Sequence, residues 1–343
     1  MSKAPITLGE ATVAPGTRET IDLVAGQLYT HEPIYMPVHV INGRLDGPVL
    51  FISAAIHGDE LNGIEIVRRV LASKALARMR GTLIAVPIVN VFGVVHQSRY
   101  LPDRRDLNRC FPGSASGSLG ARMAHLFMNE VVARSTHGLD LHTGSLHRSN
   151  LPQVRGQFSN ATVKRMAEVF GAPVLLDSTI RDGSLRDAAT ERGIPVLLYE
   201  AGEALRFDEP AIRIGVRGVF NVMRSLDMLP SRQRKSTQAF LARSSTWIRS
   251  PGSGIFRAST PLGAEVAKDQ QLGLLSDPFG SGELPVTATE KGIVIGRSNL
   301  PLVHEGEALY HIGRVSRPAA AAAYAEQVQD LTTDGLTQIP PIV

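Results

Sequence analysis

At 343 residues, 43% of them hydrophobic, the chain is long enough for one large domain or two ordinary ones and can bury a sizeable core. The formal charge of +4 is small and the lysines and arginines are scattered, which leaves nucleic-acid and polybasic membrane binding without support. No apolar run approaches the ~20 residues needed to cross a bilayer, the first ten residues lack the apolar stretch of a secretory signal, and a single Cys110 excludes an internal disulfide framework, so a cytoplasmic protein is expected.

The first thirty or so residues offer little. Ile34–Ile41 reads as a strand leading into a sheet, with His39 structural rather than catalytic. From about residue 48 to about residue 228, short apolar runs alternate with amphipathic stretches, as in a sheet flanked by helices. The strands are Val49–Ile56, Leu83–Val89, Leu139–His142, Val174–Leu176 and Val196–Tyr199. The helices are Leu61–Met79, Ala121–Ala133, Ala161–Phe170, Leu185–Glu191 and Ala211–Leu226. This pattern is α/β.

After Met228, Pro230 and the polar run Ser231–Thr237 read as a linker. Ser253–Phe256, Leu262–Val266 and Lys291–Ile295 read as short strands joined by tight turns, giving a small all-β domain over residues 229–317. It resembles the biotinyl/lipoyl type of barrel. The turn that would present a modified lysine there, Asp277–Gly282, has none, so no carrier role is expected. The tail, residues 318–343, opens on Ala319–Ala323, which favours helix but offers little surface to bury; it reads as a short helix or a disordered end.

His57-Gly58-Asp59-Glu60 follows directly on the first of these strands, placing an H-x-x-E pair where a strand gives way to a helix. Ligands of open α/β sheets gather beyond the carboxyl ends of the strands, and Gly58 would let the backbone turn sharply. Alone, the pair also describes a capped helix start with an exposed carboxylate. His142 ends a second strand and competes with His96, His125, His137 and His147 for a third ligand position. Its place at a strand end favours it, and Asp140, two residues earlier, has the same facing and could support it. Two imidazoles and a carboxylate with a fourth position open to water would make a hydrolytic zinc site; cobalt, nickel or iron would fit the same donors. Between these residues lies a loop with arginines at 104, 105 and 109, whose mutual repulsion an anionic ligand would relieve, carboxylate above all. Cys110 has no evident base beside it and reads as a small packing residue.

His57-Gly58-Asp59-Glu60, Asp106-Leu107-Asn108-Arg109, Asp140-Leu141-His142-Thr143-Gly144 and Glu200-Ala201-Gly202, in that order, resemble the succinylglutamate desuccinylase/aspartoacylase family, a branch of the zinc carboxypeptidase fold. The resemblance covers roughly residues 35 to 228, and the β-rich C-terminal part is similar to that family's appended domain. It implies a zinc carboxypeptidase-like mixed sheet flanked by helices in a catalytic domain of residues 1–228. It further implies one zinc per chain on His57, Glu60 and His142, with 81 residues between the last two. Glu200 would be general base and acid, with Gly202 letting the chain turn away; the nearby Glu203 is taken as a surface carboxylate. Arg99 would polarise the scissile carbonyl, though two extra residues separate it from Asp106-Leu107-Asn108-Arg109. Asn108 and Arg109 would bind the substrate carboxylate and Arg186 would contact substrate. A tyrosine that the C-terminal domain supplies in aspartoacylase has no match.

The expected activity is hydrolysis of the amide of a small N-acyl amino acid or related carboxylate-bearing amide by a zinc-dependent amidohydrolase. The alternatives are a metallocarboxypeptidase acting on short peptides or peptidoglycan fragments, and a non-catalytic scaffold that has kept the fold. The partner is a small molecule, with neither nucleic acid nor membrane, and homo-oligomerisation is left open.

Overall fold

The computed structural model describes residues 3–231 and 239–333, so all of the expected linker beyond Ser231 lies outside the described residues. An N-terminal hairpin, β1 (Ile6–Leu8) and β2 (Ala11–Val13), precedes two long strands, β3 (Thr17–Gln27) and β4 (Pro33–Asn42). Then come β5 (Leu45–Ala54), α1 (Asn62–Leu71), β6 (Arg80–Val86), α2 (Val91–Val95), α3 (Leu119–Glu130), β7 (His137–His142) and β8 (Arg148–Gly156). They are followed by α4 (Ala161–Phe170), β9 (Val174–Asp177), α5 (Leu185–Glu191), β10 (Val196–Gly202) and α6 (Glu209–Ser225). The C-terminal part holds β11 (Phe240–Arg249), β12 (Gly254–Ala258), β13 (Glu265–Val266), β14 (Gln271–Ser276) and β15 (Leu284–Thr287). It ends with β16 (Gly292–Ser298), β17 (Leu302–Val303), β18 (Ala308–Val315) and α7 (Pro318–Thr333).

The continuous apolar run of β5 is buried on both faces, as parallel strands covered by helices require. Alternation sends Leu50 and Ile52 to a core shared with Ile66 and Val70 of α1 and Ile212 and Val219 of α6. Phe51 points the other way, into a core with Met123 and Phe127 of α3 and Leu185 of α5. Each such side chain contributes about 1.5–3 kcal/mol by leaving water, and together they clamp β5 and β7 in a fixed parallel register, Ala54 beside Leu141. That register sets the strand ends on which the site is mounted.

The main sheet runs β3-β4-β6-β5-β7-β10-β8-β9-β11-β18-β16-β13, and β16 also pairs with β8. Strands β8, β9, β11, β18 and β16 therefore close into a ring. Its core is Leu151, Val174, Leu176, Phe240, Ile293 and Ile295, with Ala321 and Ala325 of α7 packed against it. The alanine-rich tail thus forms a helix whose small residues, one turn apart, let it approach the ring closely. Four C-terminal strands join the main sheet, and the rest form a separate four-stranded sheet, β15-β14-β12-β17. Asp277–Gly282 lies between β14 and β15.

The segment expected as one helix from Leu61 to Met79 ends at Leu71. Ser73 takes an extended conformation (ψ 129°) and its hydroxyl accepts from Ala75 N, starting a separate 3₁₀ turn. No described helix is long and apolar enough to cross a membrane.

Candidate metal centre

His57 follows β5, His142 ends β7 and Glu200 lies near the end of β10, so all three sit at the carboxyl ends of neighbouring parallel strands. The register pairs Glu200 with His142 directly. The turn after β5 is made at Ala55, which holds φ 51°, whereas Gly58 is needed for a different reason than a turn. A Cβ there would lie 2.0 Å from the carbonyl carbon of Gly93. Gly202 does turn the chain, at φ 76°.

The two histidines converge on Glu60: His57 Nδ1 lies 2.7 Å from Glu60 Oε1 and His142 Nδ1 2.7 Å from Oε2. The opposite ring nitrogens are held by carboxylates, His57 Nε2 by Asp106 at 3.1 Å and His142 Nε2 by Asp140 at 2.8 Å. Asp140 is itself fixed by the Ser53 hydroxyl at 2.8 Å. Thr143 N donates to Glu60 Oε2 and Arg99 Nη1 to Oε1. His57, Glu60 and His142 are buried, and each offers a donor atom within 4.8 Å of the other two. This arrangement fits a metal: in each imidazole one nitrogen faces the shared carboxylate while the other is locked, which fixes ring orientation and tautomer. Asp140 has the supporting place its position in the strand implied; Asp106 matches it on the other side.

Charge in the cluster is coupled. Burial alone would raise the Glu60 pKa, but His57 and His142 override it and hold the carboxyl far below its ordinary value. Burial would lower both imidazoles, yet Glu60 and Asp106 raise His57, and Asp140 and Glu60 raise His142 well above its ordinary value. A metal must displace those protons. Zinc affinity of the metal-free protein is therefore expected to rise with pH until the raised histidine pKa values are passed. Below them it should fall by up to about a hundredfold per pH unit, two protons being displaced; zinc titration across pH checks this, and a flat profile would contradict it.

The cluster opens into a cleft of about 780 Å³ that receives Arg99, Asn108, Arg109, Arg186 and Glu200 as well. Arg99 bridges Glu60 and Asp106 (2.9 Å). Asn108 Oδ1 accepts from Leu185 N at 2.9 Å, at the start of α5, and Arg109 Nη1 donates to the Asn108 carbonyl. Burial, with Arg155 nearby, pushes Arg186 down to about 10, still a cation at neutral pH. Glu200 accepts from Asn150 Nδ2 at 2.6 Å and pairs with Arg155 at 2.8 Å.

Of the three arginines expected to attract an anion together, the cleft receives Arg109 alone; Arg105 pairs with Asp103 on the surface and Arg104 is exposed. His96, His125, His137 and His147 stay outside it. So does Glu203, which is buried rather than on the surface and is held by Ser149 and Asn299, while burial raises the Cys110 thiol pKa. Sequence reasoning missed Asn150, Arg155, Arg148, Trp247 and His311, all of which line the cleft from β8, β11 and β18.

Residues 46–226 match the family model of the succinylglutamate desuccinylase/aspartoacylase catalytic domain. The chain belongs to that family. Another sequence relative is the N-alpha-acetyl-L-2,4-diaminobutyric acid deacetylase of Halomonas elongata, 27% identical over 82% of this chain and 86% of its own. The fold is shared with the product-bound ectoine utilization protein EutE of Ruegeria pomeroyi, with a TM-score of 0.79 at 24% identity over 90% of this chain and 98% of that one. An aspartoacylase family protein of Mesorhizobium loti gives a TM-score of 0.78 at 25% identity over 92% and 99%.

Proposed function

We propose that the protein is a zinc-dependent deacylase, hydrolysing the amide of a small N-acyl amino acid or a related carboxylate-bearing amide. The observation that carries this reading is the pair of imidazoles turned to one carboxylate, each locked from behind by an aspartate, at the floor of an arginine-rich cleft. The deacetylase activity named for the Halomonas relative supports the reaction class. His57, Glu60 and His142 would hold the zinc. When bound, such an ion acts as a Lewis acid and lowers the pKa of its water to about 7.

The chain's own residues then have distinct work. Asn108 and Arg109, with Arg186, bind the substrate carboxylate and place the amide over the cluster. Glu200, fixed by Asn150 and Arg155, takes a proton from the water as its oxygen attacks the carbonyl carbon. Arg99 faces the developing oxyanion, a kind of contact worth about 3–4 kcal/mol in acyl transfer. As the C–N bond breaks, Glu200 returns the proton to the departing amine. In this reading residues 1–228 are the catalytic unit, and residues 229–317 wall its cleft through β11 and β18.

Zinc-loaded protein is expected to release free amine from members of an N-acetyl and N-succinyl amino acid panel, with Glu200→Gln as the control. Release of C-terminal residues from peptides, with no turnover of that panel, would instead assign a carboxypeptidase.

A further inference from the structure

The C-terminal wall of the cleft carries a constellation that the reaction above does not use. Trp247, the only tryptophan of the chain, lies directly across from His311 in the antiparallel pair β11–β18. Their rings stack at 4.2 Å and 6°, and the Arg148 guanidinium sits 4.8 Å from the centre of the Trp247 ring. All three line the cleft, as does Arg243. Paired positions carry the row onward, His311 to Gly296 and Gly296 to Asn150, whose amide holds Glu200. The stack thus stands beside the site of chemistry, and Trp247 and His311 lie outside residues 46–226.

Charge there is out of balance. Burial, with Arg155, Arg148 and Arg181 converging on it, pushes His311 down to about 3, so its ring is neutral at working pH. Arg155 is offset by Glu200. Arg148, Arg181 and Arg243 make no ion pair among the described residues. Arg148 Nε and His311 Nδ1 are buried without a hydrogen-bond partner. Arg148 Nη2 donates to the Ala308 carbonyl at 3.4 Å, and ring stacking leaves its remaining N–H donors, Nε among them, to meet a carboxylate.

We infer that Arg148, stacked on Trp247, forms a second anion subsite together with Arg243, which lines the same cleft from an exposed position. It takes a carboxylate at the end of the substrate away from Asn108 and Arg109, and disfavours an ammonium group there. The partly desolvated Arg148 guanidinium, without a counter-ion, is relieved by an anion and repelled by a cation, so it carries the specificity and the exposed Arg243 adds to it. The inference rests on the proposed deacylase reading only in calling the ligand a substrate.

The single tryptophan makes the test direct. Glutarate and butyrate, similar in length but differing by one carboxylate, are titrated into zinc-loaded protein while Trp247 emission is followed. Glutarate is expected to shift the emission and to bind at least about tenfold more tightly than butyrate. Arg148→Gln should remove that preference while leaving butyrate affinity within about twofold, and Arg243→Gln, as a second variant with an intact fold by circular dichroism, should reduce it. Equal affinities in the unmodified protein, or a preference that survives both substitutions, would overturn the subsite. No turnover is needed. Glutarate preference without amine release would sink the reaction and keep the subsite; amine release without that preference would do the reverse.

Discussion

Substituting Glu60 by glutamine is expected to reduce bound zinc from one per chain to near zero and deacylase activity by at least about a thousandfold, because one ligand and the counter-charge of two others disappear together. Glu60 touches both imidazoles at 2.7 Å in a buried cluster. It also raises the pKa of both imidazoles, with Asp106 and Asp140 acting in the same direction. The metal-free variant should therefore lose stability as well. Removing one partner from a buried charge pair costs about 3–5 kcal/mol, here tempered because Asp106 and Asp140 still face the histidines from behind. Zinc content by elemental analysis and thermal unfolding in chelator measure the two effects separately. Full zinc occupancy in Glu60→Gln would remove Glu60 from the ligand set.

Glu200→Gln should behave differently. A general base and acid contributes about 10²- to 10⁴-fold, so kcat is expected to fall by that factor while zinc content stays at one per chain and KM changes little. The distinction follows from the geometry: Glu200 is held by Asn150 and Arg155, neither of them in the metal cluster. Glutamine can keep the contact with Asn150 and cannot take the proton. A parallel loss of zinc and kcat would make Glu200 a structural residue.

The helical half of the molecule was readable because its signals are local. The helices at Ala161–Phe170 and Leu185–Glu191 have the bounds their periodicity and caps imply, with Asn160 and Ser184 accepting from the first-turn amides. The convergence of His57, Glu60 and His142 is legible because each ends or follows an apolar strand. What escaped was the wall opposite. Strand β8 contains Pro152, which argues against a strand by itself. The structure places it where β8 changes neighbour, pairing with β16 up to Asn150 and with β9 from Gln153 on, at an irregularity in its register with β10. Strand β3, TRETIDLVAGQ, is polar because it lies at the edge of the sheet. Trp247 and His311 become neighbours only through the pairing of β11 with β18, 64 positions apart, and the ring closure that brings Arg148 to them is wholly non-local. Gly58 was singled out for a turn, but its requirement comes from the Gly93 backbone packed against it.

One metal ion is expected among His57, Glu60 and His142. Anomalous diffraction at the zinc edge from crystals of zinc-loaded protein would locate it. One strong peak is expected within about 2.0–2.2 Å of both Nδ1 atoms and a Glu60 oxygen. A cluster without a peak, or a peak bound elsewhere in the molecule, would rule out a metal held by these three residues.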